Sequence, residues 1–193
     1  MIDPREKWNA IYQEGPELPA KPSRVLTENL HLLPARGEAL EIACGLGGNA
    51  VLLAEQGLTT TAWDISSVAA DRLAEYARSR GLPLRSQARD VVSEPPAAAS
   101  FDVIIVAHFL DRALIPHIVK ALRPAGLVFY QSFTMVRVTE TGPSNPDFRL
   151  GENELLRLFS GFRVLAYREE GRVGDLGQGF RDEAMIVAQK PGS

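Results

Sequence analysis

The stretch over residues 39–50, ALEIACGLGGNA, constrains the fold of this chain more than any other. A short run of strand character leads into Gly45-Leu46-Gly47-Gly48-Asn49-Ala50, a G-x-G-x-x-A pattern, and NAVLLAEQG then has the length and the Gly57 stop of a short helix. A strand that passes through closely spaced glycines into a helix is the opening unit of a parallel α/β sheet. Glycine at that turn lets the chain reverse sharply and leaves the backbone open to close approach.

The unit repeats downstream. TTTAWDI (59–65) is β-branched and apolar, Ser66 or Ser67 can cap SVAADRLAEYARSRG, and Ala69, Leu73, Tyr76 and Ala77 share one face of that helix. LRSQARD (84–90) predicts a third strand, and VVSEPPAAAS a loop where a helix would usually stand. FDVIIVA (101–107) is almost wholly apolar, as a strand covered on both faces must be, and so belongs in the middle of the sheet. Leu114, Ile115, Ile118 and Leu122 mark a helix ended by Pro124, and GLVFYQSF supplies a fifth strand. Upstream, Val25, Leu26, Leu30 and Leu33 in KPSRVLTENLHLLP predict an amphipathic helix capped by Ser23. The helix ENELLRLF and the strands FRVLAYREE and RDEAMIVAQK, joined by GRVGDLGQG as a hairpin connection, close the chain. Such alternation argues for a doubly wound α/β sheet. The polar, Pro/Gly-punctuated connection over 134–150 is longer than compact domains commonly use, which predicts a lid.

A length of 193 residues suits one domain, 1–193. The net charge of -3 offers no basic field for a nucleic acid. MIDPREKWNAIYQEG lacks an apolar leader core, and no run reaches the roughly 18 apolar residues of a membrane span, so a cytoplasmic protein with no membrane partner is expected. Cys44 is the single cysteine, read as small and buried, and His31, His108 and His117 have no metal-ligand spacing, so no metal is expected. Nothing here speaks to oligomeric state.

Three acids give the glycine loop a chemistry. Asp64 lies at the end of the second strand, where a carboxylate can accept from both hydroxyls of a ribose, or can simply sit at a helix N-terminus. Glu41 precedes Gly45 by four positions in the first strand. Beside a pyrophosphate it would cost about 1 to 4 kcal/mol in like-charge repulsion, whereas a phosphate-free cation would be attracted. Its plainer reading is an acid paired with an arginine or a helix N-terminus. Asp90 ends the third strand ahead of Val91, placed either to bind an adenine or only to open a loop. Glu41 thus favours S-adenosylmethionine over NAD as the ligand. An NAD-dependent oxidoreductase and a non-catalytic cofactor-binding module are the alternatives.

E-x-x-x-G-x-G, Asp64 and Asp90 on successive strands, with ALRPAGLVFYQSFT, resemble the class I S-adenosylmethionine-dependent methyltransferases over residues 22–190. Ala125 replaces the first glycine of that family's L-[RK]-P-G-G turn, and Ala43 stands where its loop often has glycine. The resemblance implies a Rossmann-like sheet of seven strands in the order 3-2-1-4-5-7-6, the last antiparallel, and S-adenosyl-L-methionine as cofactor. PSRVLTENLHLLPARGEALEIACG, WDIS and FDVIIVAHFLDR are further similar to small bacterial methyltransferases of the tellurite-resistance and thiopurine type. Those act on small soft nucleophiles such as thiols, or on metalloid oxyanions such as tellurite.

The resemblance also implies roles. Ala43, Gly45 and Gly47 border the methionine part and Asn49 opens a helix whose N–H groups meet its carboxylate. Asp64 and Ile65 hold the ribose, and Asp90 and Val91 the adenine. Ala107 and His108, ending strand four, border the transferable methyl, where His108 either takes a proton from the acceptor or only bonds to backbone. Residues 1–21 fold over the cofactor and 22–193 form the core. Trp8 and Tyr12 share a helix face that meets the sulfonium or merely packs on the sheet edge. Arg137 and Arg149 pair with an anionic acceptor or are solvated loop charges.

Overall fold

The structure is a computed structural model that describes residues 3–13, 15 and 18–192. Its elements run α1 (Pro4–Gln13), α2 (Arg24–Thr27), β1 (Glu38–Ile42), α3 (Gly48–Glu55), β2 (Thr59–Asp64), α4 (Ser67–Ser79) and β3 (Leu84–Ala88). There follow β4 (Phe101–Ala107), α5 (Ile115–Ala121), β5 (Leu122–Phe133), α6 (Glu154–Leu158), β6 (Arg163–Glu169) and β7 (Glu183–Gln189). The strands form one seven-stranded sheet in the expected order 3-2-1-4-5-7-6. β1 to β5 are parallel, and β7 is antiparallel to both β5 and β6.

The apolar run of β4 accounts for its central place. Ile104 and Val106 pack on one face with Leu40, Ile115 and Ile118, while Val103 and Ile105 pack on the other with Val25, Leu26 and Leu53. Each such side chain removed from water stabilises the fold by about 1.5–3 kcal/mol, so both faces of the sheet need a covering layer. Strand order reverses between β1 and β4, and at their carboxyl ends the crevice of an open α/β sheet lies over the glycine loop. Ser66 caps α4 as expected, its hydroxyl accepting from the Ala69 amide at 3.2 Å. The segment between β3 and β4 forms no helix, also as expected.

Two local expectations fail for identifiable reasons. The amphipathic helix over KPSRVLTENLHLLP is two short turns: α2 stops at Thr27 and a 3-10 turn follows at Leu30–Leu32. Asn29 breaks it by donating its side-chain amide to the Val25 carbonyl at 3.0 Å, a competition with helix bonding characteristic of asparagine. Ser23 does not cap α2 with its side chain; its amide and hydroxyl both go to Asn49 Oδ1 at 2.8 Å. Secondly, β5 begins at Leu122, before the predicted GLVFYQSF, with Leu122 paired to Phe101 and a register shift before Val103. Pro124, lacking a donor, is tolerated beside that irregularity. Among the described residues no helix is long and apolar enough to cross a membrane.

Candidate active site

A cavity of about 1040 Å³ opens at the carboxyl ends of the strands and reaches from the glycine loop to the segment before β7. Trp8, Tyr12, Glu41, Ala43, Gly45 and Asn49 line it, and so do Asp64, Ile65, Asp90, Val91, Ala107 and His108. Gly47 alone of the predicted site residues does not reach its surface. It turns the loop into α3 from a left-handed φ of 69°.

The floor is a set of polar groups bound to one another. Glu41 is 3% exposed, and its carboxylate accepts from Asn49 Nδ2 and from the Ala50 amide, each at 2.7 Å. It therefore ties β1 to the N-terminus of α3, the plainer of its two readings, while still lining the cavity. Burial pushes its carboxyl up to about 8 against the pull of the Asn49 and Ala50 donors. Asn49 is likewise committed, to Glu41 and to Ser23, so its side chain is not free for a ligand. Asp64 is 5% exposed and accepts from the Gly45 amide at 2.7 Å and the Ser66 amide at 2.9 Å. Burial raises its pKa, and those amides oppose the rise.

The segment before α2 crosses close to the loop. A Cβ on Gly48 would lie 2.3 Å from the Ala20 carbonyl oxygen, so only glycine fits there. Above the loop stands Tyr12, whose hydroxyl would be 2.7 Å from a Cβ on Gly45. Its phenol is pushed well above its ordinary range, first by burial and then by Asp64, Cys44 and Glu41. Trp8 stacks on Tyr12 at 5.7 Å between ring centroids, and α1 is tied to α4 by Asn9, which accepts from Ser66 Oγ at 2.7 Å. Cys44 is buried, as read from the sequence.

Asp90 accepts from the Val92 amide at 3.0 Å and from Ser93, bonds that open the loop after β3. Slight burial works against them, yet they hold its carboxyl below the usual range. His108 does not bond its ring to backbone: Nε2 lies 3.1 Å from Glu183 Oε1. Arg149 is neither a solvated charge nor available to an acceptor. It is 3% exposed and donates to the carbonyls of Pro143 at 2.7 Å, Thr134 at 2.8 Å and Thr141. Arg137 pairs with Glu140 at 3.3 Å on the surface and does not line the cavity. Among the described residues no cluster of His, Cys, Asp or Glu is arranged to hold a metal.

A search of curated proteins finds no match for the chain. Solved structures match its fold. TehB from Haemophilus influenzae is 20% identical, with a TM-score of 0.66 over 86% of this chain and 61% of that one. An S-adenosylmethionine-dependent methyltransferase from Methanosarcina mazei is 22% identical, with a TM-score of 0.67 over 90% of this chain and 100% of that one. Geranyl diphosphate C-methyltransferase from Streptomyces coelicolor A3(2), solved with S-adenosyl-L-homocysteine, is 14% identical, with a TM-score of 0.67 over 86% and 78%. Residues 39–126, which span the glycine loop, Asp64 and Asp90, match the methyltransferase domain family. Over those residues the chain carries a methyltransferase domain, which supports S-adenosylmethionine as its cofactor.

The site also holds residues that the sequence did not announce. Glu183 opens β7 and Gln131 lies in β5, both lining the cavity beside His108, while Phe148 and Phe180 bring aromatic rings to it from the two long connections. Glu183 and Gln131 read as ordinary strand residues, since only the pairing of β7 with β5 brings them to the crevice. Phe148, an exposed phenylalanine within a polar connection, was the one available signal.

Proposed function

We propose that this chain is an S-adenosylmethionine-dependent methyltransferase that delivers its methyl group to a small soft nucleophile, a thiol or a metalloid oxyanion such as tellurite. The observation that carries the reading is the single cavity running from Asp64 and Gly45 past Ala107 and His108 to Phe148 and Phe180. Its volume stands at the upper end of the roughly 300–1,000 Å³ common for ligand pockets, room for the cofactor and a small second molecule together. The similarity to tellurite-resistance and thiopurine-type methyltransferases supports the acceptor class.

When bound, S-adenosylmethionine supplies an electrophilic methyl on a sulfonium. The chain's part is to hold and orient. Asp64, with Ile65, holds the ribose, and Asp90 and Val91 border the adenine. The backbone at Ala43, Gly45 and Gly47, with the free amides opening α3, receives the methionine part. Asn49 contributes there through its main chain, and Glu41 by fixing that helix end. α1, the described helix of the 1–21 segment, covers the site, with Trp8 and Tyr12 turned toward the sulfonium and water excluded beneath them. Holding acceptor and methyl at about 3–3.5 Å supplies most of the acceleration.

The test has two parts. Thermal shift with S-adenosylmethionine, S-adenosylhomocysteine, NAD and NADP should respond to the first two alone. S-adenosylhomocysteine release is then followed across thiols, thiopurines, tellurite, selenite and hydroxylated metabolites. Turnover confined to hydroxylated or carbon acceptors would remove the soft-nucleophile reading.

A further inference from the structure

We infer that the acceptor enters still carrying its proton, as a thiol, and that His108 takes that proton while Glu183 and Gln131 serve as positioning residues. The inference rests on the proposed methyl transfer and narrows its acceptor class to neutral X–H acids, leaving out preformed oxyanions.

The argument starts from a fixed donor. The Val25 amide hydrogen points at Gln131 Oε1 at 2.7 Å, and Gln131 is 3% exposed, so the orientation of its side-chain amide is determined. Gln131 Nε2 must then face Glu183, and it does, donating to Oε2. Glu183 accepts at its other oxygen from His108 Nε2, 3.1 Å away. In the neutral ring Nε2 therefore carries the hydrogen and Nδ1 the lone pair. Among the described residues no hydrogen-bond partner stands against Nδ1, and His108 lines the cavity.

The backbone is arranged to the same end. His108 has φ 58°, a left-handed conformation that a non-glycine residue adopts only at a cost. Its amide donates to the Gln131 carbonyl at 2.8 Å and its ring lies against Phe133, centroids 5.0 Å apart. An uncommon conformation held from several sides at the mouth of a ligand cavity is where function tolerates strain. Several other charged groups lining the cavity are engaged elsewhere. Asp111 accepts from the Ala113 and Leu114 amides, Arg181 donates to the carbonyls of Gln178 and Gly171, and Arg24 pairs with Glu28.

In the step itself, Nδ1 takes the proton of X–H as the electron pair on X forms the bond to the methyl carbon. The carbon–sulfur pair stays on sulfur, so the products are X–CH₃ and S-adenosylhomocysteine. Glu183 faces the imidazolium so formed and stabilises it. A positioned base of this kind contributes on the order of 10²–10⁴-fold.

Nitrogen-15 NMR of the histidine rings in the cofactor-free protein, with His108 assigned by its absence in His108→Gln, reads the arrangement without turnover. The expected result is the Nε2–H tautomer, lost in Glu183→Gln. A dominant Nδ1–H tautomer overturns the inference. In turnover with a series of thiols of graded acidity, His108→Gln should lower kcat about 10²-fold for weakly acidic thiols and little for thiols already ionised, with KM for S-adenosylmethionine unchanged. An equal loss across the series also overturns it. Turnover of tellurite with no thiol acceptor sinks the inference and spares the proposed function; bound S-adenosylhomocysteine with no soft acceptor turned over sinks both.

Discussion

The two sides of the crevice are tied together over different distances along the chain. Under the glycine loop the partners are near neighbours in sequence: Glu41 reaches Asn49 and Ala50, eight and nine residues on, and the Gly45 amide reaches Asp64, nineteen on. At the far side His108 meets Glu183 across 75 positions and Gln131 meets Val25 across 106. The near side is one β-α-β unit that sets its own polar contacts. The far side exists only when β4, β5 and β7 are in register, so its chemistry can differ between chains that share the near side.

Asp64→Ala offers the largest expected effect and the sharpest break in that comparison. A carboxylate taken from the ribose costs charge-assisted hydrogen bonds of about 1.5–3 kcal/mol each. S-adenosylhomocysteine at 100 times its dissociation constant should stabilise the parent by about 2.7 kcal/mol, and that shift should vanish in the variant. His108→Gln, on the other side, should keep it. Full affinity in Asp64→Ala would remove the ribose assignment.

Glu41 probes the near side by pH. Its carboxyl is raised to about 8, so between its ordinary range near 4.5 and that value the folded protein holds a proton the unfolded chain has released. Stability must therefore fall as pH rises through this window, by at most about 1.4 kcal/mol per pH unit, and level off above it. Glu41→Gln removes the titration. Urea unfolding at pH 5 and at pH 8.5 should show the parent losing the larger share of its stability, and equal losses would mean that the α3 donors hold Glu41 ionised throughout.

What the sequence disclosed follows the same division. The alternation of strands and helices, the α4 cap, the strand-end Asp64 and the missing helix after β3 depend on short-range pattern, and each was legible, whereas strand order came only with the family resemblance. Glu183 was hidden because, even with the last strand expected beside the fifth, nothing in RDEAMIVAQK marks which of its residues meets His108. Arg149 was misread for a related reason. A long polar connection looks solvated, yet its turns leave carbonyls that need donors, and a buried arginine with several N–H groups supplies them. Asn29 is local, but its competition with helix bonding outweighed an apolar periodicity only four residues wide.

The far side's dependence on such anchors is measurable. Arg149→Met keeps much of the volume and leaves buried carbonyls without donors, an expected loss of about 2–3 kcal/mol in urea unfolding. Asp182, which accepts from the Val138 and Thr139 amides, and Arg112, paired with Glu154 at 2.6 Å, still hold both ends of the connection, so cofactor binding should persist. Loss of S-adenosylhomocysteine affinity along with stability would show that the two sides are coupled.

The smallest effects compare two alanines that stand where the related pattern has glycine. Ala43 and Ala125 both have left-handed backbone, φ 53° and 62°. Relief of that strain is worth about 1–2 kcal/mol, and the added freedom of glycine in the unfolded chain takes back roughly 0.5–1. Ala125 is exposed at the turn before Gly126, with no packing to lose, so Ala125→Gly should stabilise by somewhat under about 1 kcal/mol. Ala43 packs against the core under the crevice, and losing a buried methyl costs about 0.8 kcal/mol, which leaves Ala43→Gly near zero or slightly below. Urea midpoints measured side by side give the order directly. If Ala43→Gly came out the more stable of the two, backbone strain at the site would outweigh packing, and the near side would hold its loop under more tension than its hydrogen bonds suggest.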